Sequence, residues 1–529
     1  MISFLNNFPI LTVIYLMPLL AVLVLLFIPE KNHRAIKIIS LFFTSISFLL
    51  SIILFFAYDF HKGGLQFVER YNWISAIGIN YFLAVNGINV TLVLLTGIII
   101  VTGVLASWDV DVRPKEFFML LLTLVTGVFG VFMAYNLFLF FLFYEIAVLP
   151  MYLLIGIWGT GDKQYSAMKL TLYLLVGSAL ILAGILGLYF ATGLYTFDFD
   201  ILEKFKFSKN FQIIFFPILF LGFGVLAALW PFHTWSPDGH ASAPTAVSML
   251  HAGVLMKLGA YGCLVIAVYL LPDGAKFWLP FVALLTIVNI VYGALGAFAQ
   301  KDLKYIVAYS SVSHMGIVLL GIASQNSLAL SGSVLQMFSH GVMTGLFFGL
   351  VGMVYGRTHT RMIDEMSGLA KKMPALAAFF ILTGLCSLGL PGLSGFVAEI
   401  ITFIGAYRTY PVITVICVTG IVFTAYYVLR ALQIIFYGKL DEHYANLKDA
   451  NKIEFAALFI LMFFIVAIGF YPFYIMNVIN SAVSEIAHYI YYPKILPMYY
   501  HQIKKKILFL ISHLQLFCSK IFLMILFSN

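Results

Sequence analysis

Residues 211–262 read FQIIFFPILFLGFGVLAALWPFHTWSPDGHASAPTAVSMLHAGVLMKLGAYG. The segment opens as an apolar run, breaks between Trp230 and Pro244, and resumes as a second apolar run carrying His251 and Lys257. A bilayer span needs about 20 predominantly apolar residues. Pro231, Pro237 and Gly239 interrupt the helix that such a run would form. Non-helical backbone at membrane depth is tolerated only inside protein or along a wet cavity. The stretch therefore predicts a polytopic membrane protein with a broken helix at its centre and a buried cation in the next span.

The rest of the chain agrees. Of 529 residues, 62% are apolar and only 10% are charged, with a net charge of +8. A soluble enzyme would be about 25% charged, and a disordered chain would be far less apolar. The basic residues are scattered in short loops and form no stripe, which argues against a nucleic-acid binder. Cys263, Cys386, Cys417 and Cys518 share no CxxC spacing, and no Gly-rich phosphate loop follows a strand. The sequence thus predicts no nucleotide, flavin, iron–sulfur or metal site in this chain. The first apolar run, Phe8 to Ile28, has no Lys or Arg before it. A cleaved signal peptide needs a basic start, so this run reads as a retained first span.

Span-sized windows give fourteen runs, near 8–28, 36–57, 88–106, 115–134, 136–156, 168–192, 211–232, 247–270, 276–297, 305–323, 332–355, 375–407, 412–437 and 455–479. A further run, Ile507 to Phe527, follows Lys504, Lys505 and Lys506. Loops after odd-numbered spans carry sixteen Lys and Arg, against seven on the other side. The positive-inside rule makes the first set cytoplasmic. Both ends of the fourteen-span core then lie on the outer, periplasmic side of the cell inner membrane. The basic tail at 480–529 either crosses back as an extra helix or lies along the interface.

A second break, Gly389-Leu390-Pro391-Gly392-Leu393-Ser394-Gly395, interrupts span 12, five spans after the break in span 7. Interrupted spans in matching places point to an inverted repeat around an ion site. Spans 4–8 and 9–13 read as two inverted five-helix repeats. The expected organisation is all-α: an N-terminal three-helix region (1–114), repeats at 115–270 and 271–437, helix 14 within 438–479, and the tail.

A charge at the bilayer centre costs at least about 2.5–3.5 kcal/mol. Glu145, Lys257 and Glu399 sit within or beside the middle of apolar spans. Burial disfavours the charged form, so a group held there exchanges protons readily. The alternative role is a structural ion pair that fixes helix packing. Histidines at His251, His314 and His340 add relay positions, because imidazole titrates near neutrality. Core histidines that bond a backbone carbonyl are the alternative. His251 and Lys257 are six residues apart and share no regular helical face. His233 and His240, in the first break, stand at a wet entrance or cap the broken ends.

Four separate motifs resemble one family. They are Pro231-Phe232-His233-Thr234-Trp235-Ser236-Pro237-Asp238-Gly239-His240 with Ala243-Pro244-Thr245; Lys257-Leu258-Gly259-Ala260-Tyr261-Gly262; Ala308-Tyr309-Ser310-Ser311-Val312-Ser313-His314-Met315-Gly316; and Gly395-Phe396-Val397-Ala398-Glu399. The family is the antiporter-like subunits of respiratory complex I and of multisubunit Na+/H+ antiporters. Arg357-Thr358-His359-Thr360-Arg361 and the glutamate at 399 are similar to its subunit M branch, the mitochondrial chain 4 type. The resemblance implies fourteen core helices and one proton translocated through the subunit per cycle. It implies no redox centre in this chain, with NADH, FMN, iron–sulfur clusters and quinone in partner subunits. L-type and N-type antiporter-like subunits would be its neighbours. By motif match, Glu145, Lys257 and Glu399 are the mid-membrane groups, His314 and His340 belong to the central polar axis, and Lys169 matches a further family lysine.

One position departs from the pattern. The family places a lysine five residues before Pro231, where it partners the span-5 glutamate; here the residue is Leu226. Lys169, His233 and His251 are the candidate replacements. Two other functions remain open at this stage. A Na+/H+ antiporter subunit would share the fold but depend on sodium. A structural subunit with an impaired proton path would explain Leu226, though not the other buried charges.

Overall fold

The computed structural model describes residues 8–490; the Ile507–Phe527 run, the Lys504–Lys506 triple and Cys518 lie outside them. Among the described residues, twelve helices are long and apolar enough to cross a membrane, and two shorter apolar ones accompany them. In chain order the helices are α1 (Ile10–Leu26), α2 (His33–Ala57), α3 (Asn89–Ala106), α4 (Pro114–Met133), α5 (Leu137–Trp158) and α6 (Lys163–Thr192). Then come α7 (Lys209–Leu226), α8 (Trp235–Ser242), α9 (Thr245–Val268) and α10 (Pro272–Ala299). The last are α11 (Leu303–Ala323), α12 (Ser327–Thr358), α13 (Pro374–Ser387), α14 (Ser394–Thr409), α15 (Pro411–Phe436), α16 (Lys452–Phe470) and α17 (Phe473–Ile490).

Two expectations need correction. The fold is not wholly α. An antiparallel hairpin, β1 (Gln66–Ile74) and β2 (Ile79–Val85), fills the gap between α2 and α3. Its Glu69 carboxylate accepts the Leu11 amide at 2.8 Å and the Thr12 amide at 3.1 Å. These are orphan donors at the start of α1, so the hairpin serves as a distant cap. The run 455–479 is not one helix either. It stops at Phe470 and restarts at Phe473, because Pro472 has no N–H to continue the ladder.

The helices divide into centre and rim. Every residue in the apolar window of α9 is buried, as are 94% in α11 and α12, against 33% in α2 and α15. Polar side chains on α9, α11 and α12 therefore face protein and not lipid.

Both breaks fall where the sequence places them. In the first, α7 stops at Leu226 and α8 starts at Trp235. The freed backbone groups find partners. Asn289 of α10 donates to the Ala228 carbonyl at 2.8 Å and accepts from the Trp230 amide at 2.7 Å. Trp235 Nε1 donates to the Val225 carbonyl at 2.9 Å. Asn289→Ala removes two buried hydrogen bonds at once, an expected loss of about 2–3 kcal/mol. The check is the thermal unfolding midpoint of the solubilised complex, and an unchanged midpoint contradicts it. In the second break, Gly389 and Gly392 have φ of +76° and +94°. Glycine alone adopts these values without strain.

α9 is also irregular. It contains π-helical segments at His251–Leu255 and Cys263–Val268, with a regular turn at Met256–Gly262 between them. Single π turns inside α-helices frequently mark functional sites.

Candidate functional site

The central helices bring four ionisable side chains into one row. Lys257 of α9 is fully buried. Its Nζ donates to the Ala252 carbonyl within the first π segment and meets His340 Nδ1 of α12 at 2.8 Å. The His340 and His314 rings stand 5.3 Å apart, centroid to centroid. His314 of α11 meets Glu399 of α14 at 3.2 Å through Nδ1. Its Nε2 lies 3.2 Å from the Ser387 hydroxyl at the end of α13. The four residues are at most 4% exposed. Each comes from a different helix, so the row exists only in the packed fold.

The second break holds the Glu399 end of the row. A Cβ on Gly389 would come within 3.0 Å of Glu399 Oε2. The glycine thus leaves room for the carboxylate against the chain turn. Ser339, beside His340, donates to Ser394 at the start of α14 at 2.7 Å.

Toward the first break, further histidines lie near Lys257. His251 stacks on Trp235 at 5.1 Å and lies 4.2 Å from the His240 ring. Both nitrogens of His251, Nδ1 of His240 and Nε2 of His340 are buried without a hydrogen-bond partner among the described residues. Buried polar atoms are normally satisfied by protein or ordered water. These orphans mark positions for water along the row. Lys304, at the start of α11, is only 4% exposed and donates to the Ala243 carbonyl at 2.5 Å.

The remaining candidates lie elsewhere. Lys169 of α6 pairs with Asp238 of α8 at 2.7 Å, and Tyr305 donates to the same carboxylate at 3.2 Å. Glu145 of α5 is half-buried, with Ser178 of α6 as its side-chain partner and Oε1 buried and unpartnered. No ion pair to Glu145 forms among the described residues, and neither Lys169 nor His251 bonds to it. Where the family lysine would stand, Leu226 is fully buried. The adjacent backbone packs directly on α9: a Cβ on Gly259 would lie 2.5 Å from the Ala227 nitrogen.

Sequence reasoning missed Asp238, Lys304, Gln336 and Ser387 as parts of this network. Gln336 Nε2 lies 3.4 Å from His314 Nδ1. Only Ser387 had a visible signal, its place just before the second break. Among the described residues, no three His, Cys, Asp or Glu side chains are placed to hold a metal ion.

A broken-helix membrane fold around a buried Lys–His–His–Glu row defines an antiporter-like membrane subunit. Comparison with known proteins agrees. The family described as NADH:quinone oxidoreductase/Mrp antiporter, transmembrane, matches residues 134–424, which include every member of the row. A NAD(P)H-quinone oxidoreductase chain 4 of Synechococcus elongatus is 42% identical over 88% of this chain and 89% of its own. That of Acaryochloris marina is 38% identical over 92% and 93%. A chain of respiratory complex I from Thermus thermophilus with bound NADH superimposes with a TM-score of 0.85 at 27% identity, covering 91% of this chain and all of that one. A chain of the Mrp complex from a Dietzia species shares the fold, with a TM-score of 0.77 at 19% identity over 92% of this chain and 97% of that one. The chain belongs to the NADH:quinone oxidoreductase/Mrp antiporter family, in its chain 4 branch.

Proposed function

We propose that this chain is a proton-translocating membrane-arm subunit of an NAD(P)H-quinone oxidoreductase. The observation that carries the reading is the buried row Lys257–His340–His314–Glu399. Each member can hold or release a proton, and each stands close enough to feel its neighbour's charge in a medium of low dielectric. Redox energy in partner subunits alters the charge at one end of the row. The change passes along it, and a proton is taken from the cytoplasm and released outside. His251, with His240, supports uptake from the inner side. Lys169 would set the field at the first break through Asp238. Glu145, half-buried at the edge, would receive the signal from a neighbouring subunit.

The same reading includes the finer architecture. It has fourteen membrane crossings, an N-terminal region over 1–114, two inverted five-helix repeats over 115–270 and 271–437, and a last crossing within 438–479. The loop charges favour the inner membrane with both ends of this core outside. The flavin, the iron–sulfur clusters and the NADH and quinone sites belong to partner subunits, and the L-type and N-type antiporter-like subunits would flank this one.

The test is proton uptake by the reconstituted complex during NAD(P)H oxidation, with and without sodium. Equal uptake under both conditions is expected. Uptake that vanishes without sodium would instead favour a sodium/proton antiporter.

A further inference from the structure

A cavity of about 250 Å³ opens beside the upper end of α9. It is built from segments that follow even-numbered spans: Leu65 after α2, Tyr135 after α4, Asp200 and Glu203 after α6, and Glu485 at the end of the chain's described part. By the loop-charge bias all of these lie on the outer face. The lining joins three carboxylates to tyrosines. Tyr269 donates to Glu203 at 3.3 Å. Asp200 turns one oxygen to Arg70 at 3.3 Å, while its Oδ1 is buried and unpartnered. The volume exceeds by far the roughly 10–15 Å³ that one water needs. Burial raises the Glu203 carboxyl above the usual range, although Tyr269 opposes the shift.

The floor of this cavity includes Tyr261, which is 3% exposed. Tyr261 and Lys257 lie in the regular turn between the two π segments of α9. At i and i+4 they share one helix face, about one 5.4 Å turn apart. The Tyr261 hydroxyl lies near the Asn89 side chain, and its ring packs against Phe132 at 5.5 Å. Tyr261 thus stands one helical turn from Lys257 and in the wall of an acidic cavity with room for several waters. Glu399, the other end, lies on a different helix beside the second break.

We propose that this cavity is an outer proton port for Lys257, with Tyr261 as its gate. The Lys257 ammonium gives up a proton and becomes an amine. The Tyr261 hydroxyl takes that proton on oxygen and passes its own to a water of the cavity. Glu203, Asp200 and Glu485 receive it and hand it to the outer solution. No oxidant or other reactant is needed. Release would thus occur in the first half of the subunit, the half in which Glu145 has no lysine partner. The proposal rests on the reading of Lys257 as a proton carrier.

The experiment blocks the port without touching the row. Leu65→Cys is placed in the complex, and intact cells are treated with a membrane-impermeant sulfonated thiol reagent. Inverted vesicles then report protons taken up per NAD(P)H oxidised, with labelling verified by mass and electron transfer measured under an uncoupler. The labelled complex is expected to fall from the ratio of its unlabelled counterpart to that of Lys257→Ala, with electron transfer retained. Tyr261→Phe is expected to fall to the same level. An unchanged ratio after complete labelling, while Lys257→Ala pumps poorly, overturns the port alone. Failure of Leu65→Cys to react from outside overturns it too. Full pumping by Lys257→Ala removes the carrier reading itself, and the port with it.

Discussion

Lys257→Ala is expected to stop the proton translocation carried by this subunit while leaving electron transfer running under an uncoupler. The ammonium meets both the Ala252 carbonyl and His340 Nδ1. Its removal leaves a gap in the row with no ionisable group to bridge it. Two lost hydrogen bonds weaken folding by about 1–3 kcal/mol, a loss that the extensive packing around α9 tolerates. Lys257→Arg separates charge from proton transfer. A guanidinium stays charged throughout the accessible pH range and releases no proton. It is therefore expected to pump no better than alanine. Restoration of pumping by arginine would show that a fixed charge suffices and that Lys257 carries no proton. The measurement is protons taken up by inverted vesicles per NAD(P)H oxidised.

The second large effect concerns stability. Arg357, at the end of α12, forms a two-pronged pair with Glu454 of α16, at 2.9 Å and 2.7 Å. It also donates to the Lys448 and Asp449 carbonyls. Glu454 is 9% exposed and completes a capping box with Asn451. Arg357→Ala removes both prongs of this part-buried pair, and hydrogen bonds to a charged group are worth about 1.5–3 kcal/mol each. The yield of assembled complex and its unfolding midpoint are expected to fall, with the ratio of protons to electrons intact in what remains. Arg357→Lys rescues little, because an ammonium cannot match both oxygens at once. Normal yield in Arg357→Ala would show that the α12–α16 tie is dispensable.

Much of this architecture is legible in the chain because a bilayer enforces it. Asn89–Ala106 coincides with the run read as 88–106, and both Pro/Gly clusters break their helices. Contacts between helices are another matter. His251 and Lys257 look out of phase at regular spacing, and nothing in HAGVL announces the π segment that changes the count. Lys304 sits at the edge of an apolar run and reads as a loop cation until α11 packs against Ala243. The Lys169–Asp238 pair joins residues 69 positions apart, a distance that no local pattern encodes. The β1–β2 hairpin escaped because β1 is mostly exposed with only a weak alternation, while β2 is short and largely buried with none. Position 226 shows the reverse. The sequence flags the missing lysine, and the structure shows a Glu145 with no ion pair among the described residues and a close-packed α7–α9 contact.

The central claim is that Lys257 and Glu399 act in one continuous path. A double-mutant comparison tests it most directly. Protons per NAD(P)H are measured for Lys257→Ala, Glu399→Gln and the two combined, in inverted vesicles with matched electron-transfer rates. A serial path predicts that the double variant pumps no worse than the poorer single one. Losses that accumulate in the double variant, or full pumping by either single one, would contradict it.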